Sequence, residues 1–495
     1  MKNSKSTSSV SKVIVVGAGL AGLASAALLA AKGKDVLVFE ANPEPGGKAR
    51  SLLLGDYRFD TGPSLFTMPE YLDAIFTACK KKSEDYIKIQ KLDVLCKYFY
   101  QDRTFITAFA DKKKFATEAA WVSGEEEKNV LNFLSHAEAI FNITEHIFVK
   151  RSLHKLKNYF RLKVLWSLWR FPKIKAFSTM DAEIRKRIKT NKLRQIFLRY
   201  ATYNGSNPFV APGTLNLIPH LEYGKGAYLP KGGIHSVTKA LYQLCLDMGV
   251  NFLFDSPVDK IVTSERAIQG VKAFGKFYPA DAVVSNMDVY FTYTKLLKDF
   301  ELPKKIKLQE RSSSALIFYW GINKSFSQLD VHNILFTNNY QKEFELLFSG
   351  ERIYEDPTVY IHITSKLNKE DAPEGAENWF ILINAPAHKG QNWETIVSET
   401  RQNTIKKINS YLNTDIEKAI VCEEILTPEN IEQKTFSYQG SLYGSSSNNR
   451  NSAFMRQANF SSKIKGLYFC GGSVHPGGGI PLVLSSAQIV ADLIE

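Results

Sequence analysis

Cysteine is scarce in this chain: five residues in 495, at positions 79, 96, 245, 422 and 470, with no CxxC pair among them. That scatter excludes a disulfide framework and a zinc ribbon, and it fits a reducing compartment. Long apolar runs are missing too. No stretch of 18 apolar residues occurs, so no spanning helix is expected. The opening "MKNSKSTSSVSK" has no apolar core of the signal-peptide kind. Acids are nearly absent from one region. Residues 150–200 hold 16 Lys/Arg against Asp181 and Glu183, which accounts for the net charge of +13 and leaves the remainder close to neutral. We find no Ser-His-Asp constellation, metal-ligand spacing or paired carboxylates. His362 alternates with Ile361 and Ile363 and reads as a structural histidine.

At 495 residues, the chain exceeds the size of a single core, so two domains are expected. Residues 13–16, "VIVV", read as a buried parallel strand, followed by Gly17-Ala18-Gly19-Leu20-Ala21-Gly22, the helical stretch "LASAALLAAKG" and a second strand, "DVLVFE". This is a dinucleotide-binding turn in its expected context. Gly17 makes the turn, Gly19 admits a pyrophosphate, and Gly22 lets helix and strand close. The helix N-terminus offers N–H groups to phosphate. Glu40, 18 residues after Gly22, is spaced to grip ribose hydroxyls, and an acid there disfavours a 2′-phosphate. "NPEPGGKAR" then adds Gly46, Gly47, Lys48 and Arg50, a second glycine turn with cations for a larger dinucleotide. "FDTGPSL" adds a third turn through Thr61, Gly62, Pro63 and Ser64. At the other end of the sequence, five of the nine residues 471–479 are glycine. That density suits a backbone lying against a flat ligand better than a loose tail.

These motifs resemble the flavin amine oxidase and carotenoid desaturase superfamily. Within it, "DTGPS" and "HPGGGIP" (475–481) look like the bacterial-type carotenoid desaturases, and "TGPSLFTMP", "SSSALIFYWGI" and "GGSVHPGGGIPLV" like the hydroxycarotenoid 3,4-desaturase subgroup. The resemblance implies an α/β fold: a Rossmann-type FAD-binding domain with an inserted α+β substrate domain containing an antiparallel sheet. The β-prone runs of residues 312–386 fit that insert. The expected division is 1–100, 223–295 and 440–495 for the flavin domain, and 101–222 and 296–439 for the substrate domain. It further implies FAD as cofactor. Gly472, Ser473, Gly479, Ile480 and Pro481 would lie along the flavin, with Gly477 and Gly478 beside it, and the backbone at Val258 would meet the adenine. Ser473 stands where many wider relatives carry an acid. His475 is a weak candidate for a role at the site.

FAD carries the hydride chemistry in such proteins, so the lack of a triad fits. The implied activity is introduction of a C=C bond into an acyclic carotenoid, at C3–C4 of a 1-hydroxylated end group. Phytoene desaturation, redox-neutral cis–trans isomerisation, oxidation of a polar amine, and a non-catalytic prenyl-protein chaperone are the competing readings. The basic, aromatic segment 141–200 is expected to dock a membrane surface from the cytoplasmic side. Nucleic acid is not expected as a partner, because no nucleic-acid fold accompanies the charge.

Overall fold

A computed structural model describes residues 11–145, 149, 151–155, 174–448 and 456–494. Its first layer is a five-stranded parallel sheet. The order is Asn251–Leu253, Asp35–Phe39, Lys12–Val16, Ala282–Ser285 and Leu467–Phe469. The first strand of the chain is thus central, with Val13 beside both Val36 and Ala282. Burial on both faces explains its unbroken run of β-branched residues. The helices Leu20–Ala31, His235–Asp247 and Ile480–Leu493 cover one face, and their alanines allow close approach. A three-stranded antiparallel sheet, Lys260–Ser264, Ala267–Ala273 and Lys276–Pro279, covers the other.

The second layer is a seven-stranded sheet, in the order Ile420–Leu426, Ser314–Ile322, Glu377–Ala385, Val359–His362, His332–Leu335, Val94–Phe99 and Phe105–Phe109. It reaches beyond the expected 312–386 at both edges. Its pairs are antiparallel except one, His332–Leu335 with Val94–Phe99, which is parallel. The expected division after residue 100 falls in the hairpin turn between the last two strands. Side chains alternate cleanly across this sheet. Leu316, Phe318, Trp320, Trp379, Ile381 and Ile383 pack with the helix Trp393–Leu412. Their neighbours Ile317, Tyr319, Leu382 and Asn384 point the other way and line a cavity. Helices Glu127–Thr144, Met180–Arg185 and Asn191–Leu198 build a further core against the sheet's far edge. No helix among the described residues is long and apolar enough to cross a membrane.

Candidate functional site

Parallel strands deliver their C-terminal ends to one edge of the sheet, where α/β proteins bind ligands. At that edge lies a cavity of about 970 Å³, which continues to the inner face of the seven-stranded sheet. Its first wall is backbone. Gly17, at φ +99°, donates its N–H to Phe39 O at 2.7 Å and turns the chain. A Cβ on Gly22 would lie 2.0 Å from Gly17 O, so helix and turn are in direct contact. The helix Leu20–Ala31 has no side-chain cap at Gly19. Its first N–H groups are therefore left for a ligand, and Gly19, Leu20 and Ala21 line the cavity.

The second and third turns stack on the first. Gly46 N donates to Ala18 O at 2.9 Å, and a Cβ on Gly47 would come within 3.4 Å of Gly19 Cα. One on Gly62 would sit 2.0 Å from Lys48 O. Thr61 N and Oγ1 both donate to Arg50 O, at 2.9 and 3.2 Å. Lys48, Arg50, Pro63 and Ser64 line the same wall. Lys48 Nζ donates to the carbonyls of Ser441 and Leu442 at 3.1 and 3.0 Å. Burial pushes its ammonium down to about 8, against the pull of Asp288. Arg50 leans outward onto Glu44, at 3.1 and 2.9 Å.

The C-terminal glycines close the wall. Gly472, Ser473, Gly478, Gly479, Ile480 and Pro481 line the cavity. Gly479, at φ +106°, has nothing within 4 Å of where a Cβ would stand. It alone of the last three glycines opens onto free space. A Cβ on Gly478 would lie 2.8 Å from Tyr443 Cα, and one on Gly477 3.0 Å from Arg456 Nε. Gly478 thus packs on one side and faces the cavity on the other, whereas Gly477 does not line it. The helix Ile480–Leu493 starts at the cavity edge with Pro481 in its first turn. Ser473 Oγ accepts from Val289 N at 3.2 Å.

Besides Gly17, Gly22 and Gly477, three expected residues do not line the cavity. Glu40 is buried one layer behind it: Oε2 accepts from Ala18 N at 2.7 Å, and Oε1 from Asn42 N and Nδ2 at 3.0 and 2.6 Å. Val258 is half-buried among the side chains beneath the parallel sheet. His475 is buried, with Nε2 2.7 Å from Arg151 O, and its burial pushes the imidazole down to about 4. It ties segment 151–155 to the C-terminal loop.

Sequence reasoning missed Asn286. It follows the strand Ala282–Ser285, lines the cavity, donates from Nδ2 to Cys470 O at 3.3 Å, and sets Oδ1 2.6 Å from a Cβ on Gly19. It joins the first and last glycine turns. Its signal was the position itself, one residue past a buried strand, as Gly17 and Glu40 are.

The second wall is made of side chains, and none of its polar members was expected. Arg199 and Glu222 form a buried ion pair at 3.1 Å. Tyr200 OH donates to Oε2 at 2.5 Å, Tyr203 OH donates to Oε1, and Arg199 Nε donates to Tyr98 OH at 2.7 Å. The guanidinium also lies over the rings of Tyr98, Tyr200 and Tyr203. Beside this cluster, His332 meets Tyr360 OH at 2.8 Å, and Tyr360 OH donates to Ser64 Oγ at 2.9 Å. Leu95, Leu215, Leu217, Ile218, Leu221 and Ile334 supply apolar lining. Among the described residues no His/Cys/Asp/Glu group could hold a metal.

A parallel sheet ending on an uncapped helix and interlocked glycine turns, opening into an apolar chamber, defines a dinucleotide-dependent oxidoreductase architecture. The chain belongs to the flavin containing amine oxidoreductase family, whose model matches residues 20–495, and FAD is its cofactor. It is similar to a 1-hydroxycarotenoid 3,4-desaturase from Flavobacterium sp. (strain P99-3), with 47% identity over 98% of this chain and 99% of the relative. A 4,4'-diapolycopene oxygenase from Methylomonas sp is 34% identical over 98% of both. Among solved structures, an oxidoreductase from Methanosarcina mazei matches with a TM-score of 0.65 at 16% identity, covering 97% of this chain and all of that one.

Proposed function

We propose that this protein is an FAD-dependent carotenoid desaturase that forms the C3–C4 double bond of a 1-hydroxylated acyclic carotenoid. One observation carries the reading: the chamber joins the glycine turns to an apolar sheet face without a break, in a chain 47% identical to a desaturase of that specificity. Gly19, Leu20 and Ala21 would hold the pyrophosphate, and Gly46, Gly47, Lys48 and Arg50 the phosphate and ribityl side. Glu40 would brace the adenosine end through the turn it binds. Thr61, Gly62, Pro63, Ser64, Gly472, Ser473, Gly479, Ile480 and Pro481 would border the ring. FAD supplies the hydride acceptor. The protein's part is to bind the polyene in register with that acceptor and to keep water out. The substrate loses one hydride and one proton from adjacent carbons, and the conjugated chain spreads the charge that hydride loss leaves.

Purified protein with FAD and a 1-hydroxylated C40 carotenoid should give a product two hydrogens lighter and red-shifted in absorbance. Unchanged mass would mark an isomerase, and a gain of oxygen an oxygenase like the Methylomonas relative.

A carotenoid reaches such a chamber from a lipid bilayer, and the basic segment 141–200 is the proposed docking surface. Each Lys or Arg near an anionic membrane adds about 1 kcal/mol. Most of the interleaved aromatics, Trp166 and Trp169 among them, lie outside the described residues. Wild-type protein should float with anionic vesicles, less so in high salt. A variant with Trp166→Ser, Trp169→Ser and Arg170→Glu should float less; equal flotation of the two would rule the segment out as the contact.

A further inference from the structure

The apolar chamber carries a polar group with no use in hydride transfer. His332 lines it, is 3% exposed, and has no hydrogen-bond partner at Nε2. A buried, unpaired ring nitrogen is unfavourable unless something completes it. The tautomer follows from the chain of contacts. Tyr360 OH donates its single proton to Ser64 Oγ, so its oxygen receives the Nδ1–H of His332. Nε2 is then left as an acceptor. The ring is held in place by a parallel stack on His362, centroids 4.7 Å apart, whose own Nδ1 meets Val331 O at 3.1 Å.

We infer that His332 Nε2 accepts a hydrogen bond from the hydroxyl of the substrate's end group, and so determines specificity for hydroxylated over unhydroxylated carotenoids. The inference rests on the desaturase reading and names the residue that would select its substrate. Two further features place the receptor. In a 1-hydroxylated end group the oxygen is attached only two carbons from the bond to be oxidised, so its receptor must adjoin the flavin side of the chamber. His332 does: its relay ends on Ser64, in the turn whose Gly62 lies against Lys48. Second, burial, with His362 and Arg199 nearby, holds the imidazole well below its ordinary value. A nitrogen of so little basicity accepts a hydrogen bond but does not retain a proton. That argues for recognition and against a general base.

The experiment compares kcat/KM for a 1-hydroxylated acyclic C40 carotenoid and its unhydroxylated counterpart, using FAD-loaded full-length protein. Wild type should favour the hydroxylated substrate about ten- to hundredfold, the range expected when one buried acceptor is left unpaired. His332→Leu should bring the ratio close to one, chiefly by slowing the hydroxylated substrate. His332→Gln should keep part of the preference by restoring an acceptor. Tyr360→Phe should lower the ratio severalfold, because Nδ1–H loses the oxygen that fixes the tautomer. It also covers the case in which His332→Leu fails to hold flavin, judged by flavin absorbance. An unchanged ratio in the flavin-loaded variants overturns the inference, as does an equal fall on both substrates, which would make His332 part of the common chemistry. Desaturation of neither substrate by wild type would instead overturn the desaturase reading itself.

Discussion

The two walls of the chamber are built on opposite principles. On the dinucleotide side the protein offers backbone: three glycine turns so tightly nested that a single methyl group would strike Gly17 O or Lys48 O at 2.0 Å. On the substrate side the backbone is ordinary sheet and helix, and the surface is made of side chains that satisfy one another. Arg199, Glu222, Tyr98, Tyr200 and Tyr203 are all buried or nearly so and hydrogen-bonded within the group. The first wall should fail when atoms are added, and the second when they are removed.

The largest effect is expected from adding atoms to the first wall. Gly22→Ala forces Cβ into Gly17 O, backbone against backbone with no flexible side chain to yield. We expect a loss of roughly 3–5 kcal/mol, in the upper range for single substitutions, and protein without flavin. Gly19→Val is gentler, because its nearest neighbour is the Asn286 side chain. It should leave the fold but block pyrophosphate approach. Flavin absorbance per protein and the unfolding midpoint measure both variants, and a fully flavin-loaded Gly19→Val protein would remove Gly19 from the cofactor site.

The second wall should break the other way. Glu222→Ala strands the Arg199 cation in a buried site and should cost about 3–5 kcal/mol, whereas replacing both partners by apolar residues of similar volume should cost much less. Urea unfolding of Glu222→Leu, Arg199→Met and their double variant, with Glu222→Ala beside them, closes the cycle. Additive losses would mean that the pair is not a unit.

This contrast also decides what could be read beforehand. A wall of backbone demands glycine at fixed spacing, and each turn must be contiguous. Gly17 to Gly22, Gly46 to Arg50, Thr61 to Ser64 and the 471–479 run were therefore visible as motifs. A wall of side chains needs only that residues 64, 98, 199, 203, 222, 332 and 360 meet in space. Tyr98, His332 and Tyr360 are brought together by the order of strands in the seven-stranded sheet, which includes a parallel pairing of Val94–Phe99 with His332–Leu335 that no local pattern announces, and Arg199, Tyr203 and Glu222 come from helical segments packed beside it. Glycine density alone does not separate the three: Gly477 packs on Arg456, Gly478 packs on Tyr443 while lining the cavity, and Gly479 faces open space.

Two buried histidines, one behind each wall, allow a comparison in pH. Burial lowers His475, in the C-terminal loop, and His362, on the sheet, to about 4 each. The unfolded chain takes up a proton near 6.5. The folded chain does so only near 4, so each contributes up to about 3 kcal/mol that is fully present above pH 6.5 and lost as pH falls toward 4. Glu343, raised to about 7 by burial, works in the opposite sense over part of this range. The readout is therefore the difference between wild type and variant. His475→Asn and His362→Asn should each flatten the fall in unfolding midpoint between pH 6.5 and 4. His475→Asn should leave substrate preference unchanged, since His475 does not line the chamber.

The smallest effect expected is on flavin affinity, through Lys48. Its ammonium sits at about 8 because burial disfavours the charge, with Asp288 offsetting only part of that. FAD would bring negative phosphates to the wall that Lys48 lines, favouring the charged form and raising its pKa in the complex. Below pH 8 the lysine is charged with or without flavin, so affinity should be flat. Above pH 8 the free protein has lost the proton and must regain it on binding. Affinity should then fall about tenfold per pH unit, until the pH reaches the raised pKa of the complex. Lys48→Met should bind more weakly at pH 7 and show no such slope. Quenching of flavin fluorescence in titrations from pH 7 to 10 measures this. A slope that persists in Lys48→Met would assign the proton to another group. A flat profile in wild type would mean that Lys48 keeps its bonds to the Ser441 and Leu442 carbonyls and does not engage the cofactor, leaving the first wall an anion site made of backbone alone.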